Sequence, residues 1–123
     1  MDIVRRWYET DDTTLLADDV DWQVLESFPT GGRYKGRSAV SDRFFPAVKG
    51  HFSEYVTLPE IFLTEGPNVA TFGVYRVRSA AGKAGDISFA HFWTVRDGRI
   101  TAFRQVADTA ALRTLLAAED TSS

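Results

Sequence analysis

A chain of 123 residues is the size of one domain with one core, and its 44% hydrophobic and 25% charged residues exclude disorder for the bulk of it. A net charge of −3, with Lys and Arg scattered rather than clustered, excludes the basic patch that nucleic acid requires; the absence of cysteine excludes disulfides, thiolate catalysis and cysteine-ligated zinc or iron–sulfur sites. Met1 leads straight into charged residues and no apolar run has the length of a signal or membrane span, so the expectation is a cytoplasmic protein with neither membrane nor nucleic-acid partners.

Val4, Trp7 and Tyr8 recur at helical spacing, and Asp11-Asp12 followed by Thr13-Thr14 marks a helix end and a new N-cap, giving two short helices. Val20, Trp22 and Val24 alternate with Asp21, Gln23 and Leu25 in a first strand that ends near the turn residues Pro29 to Gly32. Ser38 caps a helix carrying Val40, Phe44, Phe45 and Val48 on one side. Pro46 breaks or kinks that helix near Phe45, because its ring removes an N–H and crowds the preceding turn. From Phe52 to about Glu65 the chain is β-like, with Pro59 demanding a bulge or an edge position, and Gly66-Pro67-Asn68 is a turn. Residues 69–78, 87–96 and 99–107 form three strands, the first two joined by the loop around Gly82 to Gly85 and the last two by Asp97-Gly98. Asp108 or Thr109 starts a helix bearing Ala111, Leu112, Leu115 and Leu116; the domain spans residues 1–118 and the polar tail 119–123 frays.

Asp-Gly between two β-rich runs is a strong hairpin signal, because a type I′ turn needs positive φ at both central residues. A two-residue loop pairs Arg96 with Arg99, which puts His91 opposite Arg104 and Ala90 opposite Gln105. His91, Trp93, Arg104 and Asp108 then share one face, and Ala90, Phe92, Phe103 and Gln105 the other. Both faces are semi-apolar. One therefore covers a core or pocket while the other meets helices or a second subunit, which makes a homodimer through the sheet the expected assembly.

The order helix, helix, strand, helix and then long strands carries Val4-Arg5-Arg6-Trp7-Tyr8, Leu15-Leu16-Ala17-Asp18-Asp19-Val20, Tyr34-Lys35-Gly36-Arg37 and the run Phe89 to Ile100. Over nearly the whole chain this resembles the nuclear transport factor 2-like superfamily, in its SnoaL-like polyketide cyclase branch. The resemblance implies an α+β fold: a cone-shaped, curved antiparallel sheet wrapped around N-terminal helices, with a short C-terminal helix and a usual dimer. It does not by itself imply a reaction. Carried over residue by residue, the oxyanion-holding tyrosine of the ketosteroid isomerases falls on Trp7, their general-base aspartate on Val24 and their protonated aspartic acid on Ala90. None of these can titrate, so the resemblance does not extend to that mechanism. The acid/base aspartate of SnoaL-like cyclases and limonene-epoxide-hydrolase-like members falls on Gln105, which exchanges no proton at neutral pH. Because the isomerase position matching Ala90 faces the cavity, the resemblance also implies that Ala90, Phe92, Phe103 and Gln105 face inward with Trp22. A bulge in either strand inverts this assignment.

The candidate catalytic residues are His91, whose imidazole suits proton transfer near neutral pH, and Asp108, which ends the last strand on the same computed face. Each has a plain structural alternative: a hydrogen-bonded histidine within the sheet or dimer face, and a helix N-cap. Gln105 offers hydrogen bonds to a carbonyl-bearing ligand; Trp22, Phe92 and Phe103 offer stacking walls; the hydroxyl of Tyr75 or Tyr34 could hold an oxyanion, with their facing open. His51 is the only other histidine, so no metal site is expected. Two functions remain open. One is a cyclase, isomerase, dehydratase or hydrolase working without metal or organic cofactor on a small apolar or aromatic metabolite. The other is a ligand-binding or dimeric scaffold protein that does no chemistry.

Overall fold

The computed structural model describes the backbone of residues 2–121 and the side chains of residues 3–117. Helix α1 (Asp2–Thr10) leads through a single 3-10 turn (Thr13–Leu15) to strands β1 (Leu16–Val24) and β2 (Gly32–Lys35). A short α2 (Arg37–Ala39) runs through a widened turn (Val40–Phe44) into α3 (Phe45–His51). There follow β3 (Phe52–Glu65), β4 (Asn68–Ser79), β5 (Ala84–Arg96), β6 (Arg99–Ala107) and α4 (Thr109–Thr121). The strands form one curved, unclosed sheet in the order β2-β1-β6-β5-β4-β3. This is the expected α+β architecture with one departure: β1 and β6 pair in parallel, while every other neighbouring pair is antiparallel. The chain between β1 and β6 is long enough for the crossover that a parallel pair demands.

The core lies on the concave side. Val4 and Trp7 of α1, Val40, Phe44 and Val48 of the α2–α3 segment, and Leu112 and Leu115 of α4 belong to one buried cluster with the inward residues of the sheet. In β4 and β5 the alternation is regular, with Val69, Thr71, Tyr75 and Val77 and then Ile87, Phe89, His91 and Trp93 turned in. Among the described residues no helix is long and apolar enough to cross a membrane. The tail expected to fray from Glu119 falls beyond the described side chains, and its residues 122–123 lie outside the described residues.

Local sequence accounts for the irregularities. Pro46 is accommodated by the widened turn before it, where the Phe45 N–H reaches back five residues to the Val40 carbonyl, so the kink takes the form of a π-type turn. Pro59 lies on the edge strand β3 at a register shift between Pro59 and Ile61, which meets both conditions expected of it. Across from it, a Cβ on Gly73 would collide with the Leu58 carbonyl oxygen and come within 2.8 Å of the Pro59 Cα, so the bulge needs glycine there. Asp12, not Thr13 or Thr14, caps the 3-10 turn by accepting from the Thr14 N–H at 2.9 Å.

The β5–β6 hairpin corrects the sequence reading. Asp97 (φ 51°) and Gly98 (φ 75°) form the expected turn, and Arg96 does pair with Arg99 and Val95 with Ile100. Thr94 then pairs with Ala102, so Thr101 is an extra residue in β6. Beyond this bulge His91 opposes Gln105 and Ala90 opposes Val106. One residue of slip exchanges faces: Phe103 and Gln105 point inward as expected, but they do so beside His91 and Trp93, while Ala90 and Phe92 turn to the opposite side.

Candidate functional site

Inside the cone a cavity of about 60 Å³ is walled by Trp7, Trp22, Phe44, Phe45, Trp93 and Phe103, with Tyr8, Tyr55, Tyr75, His91 and Gln105 supplying polar atoms. Tyr8, Asp11, Phe45, Val48, Tyr55 and Thr57 also border an outer chamber of about 490 Å³, so the two spaces meet at α1, α3 and β3. The widened turn helps to bring adjacent Phe44 and Phe45 both onto the wall. The Trp22 and Phe103 rings stack at 3.9 Å, held by direct pairing of their residues across β1 and β6.

The polar atoms form one chain. The Tyr8 hydroxyl is 2.6 Å from His91 Nδ1 and 2.6 Å from Thr71 Oγ1, which accepts from the Trp93 indole N–H at 3.2 Å. The Tyr75 hydroxyl is 2.5 Å from His91 Nε2 and accepts from Gln105 Nε2 at 3.0 Å. His91 lies against Phe89, ring centres 4.0 Å apart, and burial pushes its pKa well below the ordinary histidine value. Its imidazole is therefore neutral near pH 7, with one N–H and one lone pair, so one tyrosine donates to it and the other accepts from it. If Thr71 donates to Tyr8, Tyr8 to Nδ1, and Nε2–H to Tyr75, every proton in the buried chain is used. The Tyr75 hydroxyl hydrogen is then left for Tyr55 or a ligand. The opposite direction strands the hydroxyl hydrogen of Thr71, which has no exposed surface. Burial is also the leading cause that raises the pKa values of Tyr8, Tyr55 and Tyr75 above the ordinary phenol value, so all three are neutral hydroxyls.

Two buried wall residues keep an unsatisfied polar atom: the indole N–H of Trp22, 2% exposed, and the side-chain carbonyl oxygen of Gln105, 4% exposed. Unpaired groups at such depth cost about 1–3 kcal/mol each, and a hydrogen-bonding ligand removes that cost. One charged side chain, Asp11, lines the inner cavity. Although Asp11 is exposed by surface area, the protein mass around its carboxyl raises its pKa, and Lys49 partly offsets this.

The structure gathers His91, Trp22, Tyr75, Phe103 and Gln105 of the sequence candidates around one cavity. Phe92 is not among them; it is 45% exposed on the outer face. Asp108 stands apart too, exposed at the start of α4, where its carboxylate accepts from the Ala111 N–H at 3.1 Å in the capping role. Tyr34 donates to the Thr30 carbonyl and packs on Phe44 outside the cavity wall. Sequence reasoning missed Tyr8, Asp11 and Tyr55. The available signal was position: Tyr8 lies one turn after Val4 on the face of α1 that packs inward, Asp11 follows where α1 ends, and Tyr55 alternates with Thr57 on β3. Among the described residues no group of three or more His, Asp or Glu side chains could hold a metal ion.

The model of the SnoaL-like domain family matches residues 4–103. The chain belongs to the SnoaL-like family. Solved structures place this SnoaL-like chain in the NTF2-like fold. An NTF2-like protein of unknown function from Burkholderia pseudomallei K96243 shares 28% identity at a TM-score of 0.87, with 94% of this chain and 95% of that one covered. TerC, crystallised with polyporic acid, shares 26% identity at a TM-score of 0.85 with the same coverage. A protein from Jannaschia sp. CCS1 described as a SnoaL-like polyketide cyclase shares the fold at 16% identity and a TM-score of 0.78, with 94% and 89% covered. No curated protein matches the sequence.

Proposed function

We propose that this SnoaL-like protein binds a small, flat, uncharged aromatic molecule bearing a carbonyl or phenolic oxygen, and that the Tyr75 hydroxyl holds that oxygen. The observation that carries the reading is the chain from Trp93 through Thr71, Tyr8 and His91 to Tyr75, whose hydroxyl hydrogen turns toward the Tyr55 oxygen in the wall of an aromatic cavity, where a ligand oxygen can compete for it. The orphaned Trp22 N–H and Gln105 oxygen add a donor and an acceptor for the same ligand. The likeness to TerC, which was crystallised with polyporic acid, supports a small organic ligand. A pocket that preorganises a hydroxyl toward an oxygen suits the isomerase, cyclase, dehydratase and hydrolase chemistries, since each develops negative charge there. His91 acts as a positioning residue, because both of its ring nitrogens are already engaged.

The test is calorimetric titration with 2-naphthol. Wild-type protein should bind it, and Tyr75→Phe should bind about tenfold more weakly, the loss of one net hydrogen bond of about 1–1.5 kcal/mol. Equal affinity in the two proteins would contradict the assigned role of Tyr75. The competing reading, binding without chemistry, draws on Gln105 and the closed hydrogen-bond shell of His91; ligands returned intact after long incubation would favour it.

We further propose that the assembly is a homodimer through the outer face of the sheet. Ile61, Leu63, Phe72, Phe92 and Val106 are each 42% exposed or more, and they span the neighbouring strands β3 to β6. Several large apolar side chains on neighbouring strands form the kind of surface that a second copy covers.

A further inference from the structure

We propose that the outer chamber is a second ligand subsite, and that it takes a neutral, polyhydroxylated group, such as a glycosyl ring, carried by the aromatic ligand at the end opposite the oxygen on Tyr75. The inference rests on the pocket reading above and adds the second half of the ligand. Size gives the first reason. The inner cavity, at about 60 Å³, falls well short of the roughly 300–1,000 Å³ usual for a small-molecule site, whereas the outer chamber measures about 490 Å³. Tyr8, Asp11 and Tyr55 border both spaces, so a ligand seated on Tyr75 continues from one into the other.

Charge decides what that second part is. Asp11, just after α1, and Lys49, in the last turn of α3, both line the chamber, and the ammonium is near enough to favour the ionised carboxylate. Yet among the described residues neither side chain makes a hydrogen bond or an ion pair. The other acid of the chamber, Glu54, is already engaged by Arg78 at 3.6 Å. The chamber therefore presents one unengaged acceptor and one unengaged donor of opposite charge. An anionic group on the ligand would be drawn to Lys49 and repelled by Asp11, and a cationic group would meet the reverse. Hydroxyls meet no such conflict, because each can donate to the carboxylate and accept from the ammonium.

The rest of the wall suits a saturated ring. Phe45, Phe52, Tyr8 and Tyr55 supply aromatic surface for its C–H edges, since the face of an aromatic ring is the negative part of its quadrupole. Thr57 adds a hydroxyl, which again can both donate and accept. Three elements, α1, α3 and β3, thus contribute to one chamber whose polar groups are matched to a neutral partner.

The experiment compares two 4-alkoxyphenols by calorimetric titration. Arbutin carries a β-glucosyl group opposite its phenol, and 4-methoxyphenol has the same ring, hydroxyl and ether oxygen without the sugar. Wild-type protein should bind arbutin about tenfold more tightly. Lys49→Met and Asp11→Gly should each cut that preference about threefold, and together they should abolish it. Asp11 has φ 53°, a backbone that glycine adopts freely, so Asp11→Gly should melt no lower than wild type and its lost preference is not lost fold. Tyr75→Phe should weaken both ligands alike, because it acts on the end they share. Equal binding of arbutin and 4-methoxyphenol, or a preference that survives the double variant, would overturn the subsite while leaving the pocket reading in place. Tighter binding of 4-hydroxyphenylacetate or tyramine, whose tails are charged, than of arbutin would also overturn it. Failure of wild type to bind either 4-methoxyphenol or 2-naphthol would remove the pocket reading and this inference with it.

Discussion

Trp93 and Phe92 are neighbours on β5, both large and apolar, yet one has no exposed surface and the other is 45% exposed. The two sides of the sheet differ less in composition than in how their polar groups are used. On the concave side Thr71, Tyr75, His91 and Gln105 are linked into one hydrogen-bonded chain between aromatic rings. On the convex side the charged groups form separate exposed pairs, such as Arg76 with Asp86 and Arg78 with Glu54, beside bare apolar side chains. A linked buried network requires unique geometry, because each member depends on the others for its partner. Scattered exposed pairs contribute little and leave a surface available for association.

The sharpest way to break this contrast is to truncate the two neighbours in turn. Trp93→Ala should cost about 3–5 kcal/mol by urea denaturation. Phe92→Ala, measured at a protein concentration low enough to keep the chain monomeric, should cost within about 0.5 kcal/mol. Similar losses at both positions would mean that the faces are not distinct.

Tyr75→Phe comes next, because it leaves a Gln105 N–H and a His91 nitrogen unpaired in the wall; the expected loss is about 1–3 kcal/mol. Removing a hydroxyl from the convex side, as in Ser88→Ala, should be near neutral in the same assay.

Acid titration gives a smaller effect with a defined sign. His91 has a folded pKa well below its ordinary value of 6.5, so above about pH 6.5 neither state carries its proton and there is no penalty. As pH falls below that value the unfolded chain takes up a proton that the folded chain refuses. Between pH 7.5 and 5.5 this should lower stability by about 1.4 kcal/mol, and His91→Phe should abolish that part of the slope. A slope unchanged in the variant would show that the imidazole is not held neutral.

The least change in chain stability is expected for Phe92→Lys with Val106→Lys on the convex face. These substitutions should leave the urea midpoint of the monomer nearly unaltered while sedimentation shifts from dimer to monomer. A wild-type protein that sediments as a monomer would remove the proposed assembly.

Much of this arrangement was legible in the chain, and the rest failed for physical reasons. The turn at Asp97-Gly98 was readable because it demands positive φ at two positions, and Pro59 marked its bulge because it cannot donate to a ladder. Thr101 carries no such mark: a threonine is at home in a regular strand, so the slip that put His91 beside Gln105 left no trace in residue type. Trp22, Tyr75, Phe103 and Gln105 could be named because alternation and residue chemistry singled them out. Tyr8 and Asp11 could not, since they reach the cavity only through the packing of α1 across the sheet, which depends on contacts between distant segments. Asp108 was ambiguous for a different reason, as a carboxylate before a helix has the same sequence signature whether it caps the helix or lines a cleft.

Trp7, Trp22 and Trp93 all stand in the cavity wall, and the chain has three tryptophans. The intrinsic fluorescence of the protein therefore originates around the very space whose occupant is unknown. Displaced water, a stacked ring or a quenching carbonyl there would alter the emission of every indole, with no bulk signal from elsewhere to dilute it. The molecule thus arrives already labelled, and an unlabelled chemical library can be read against its own light.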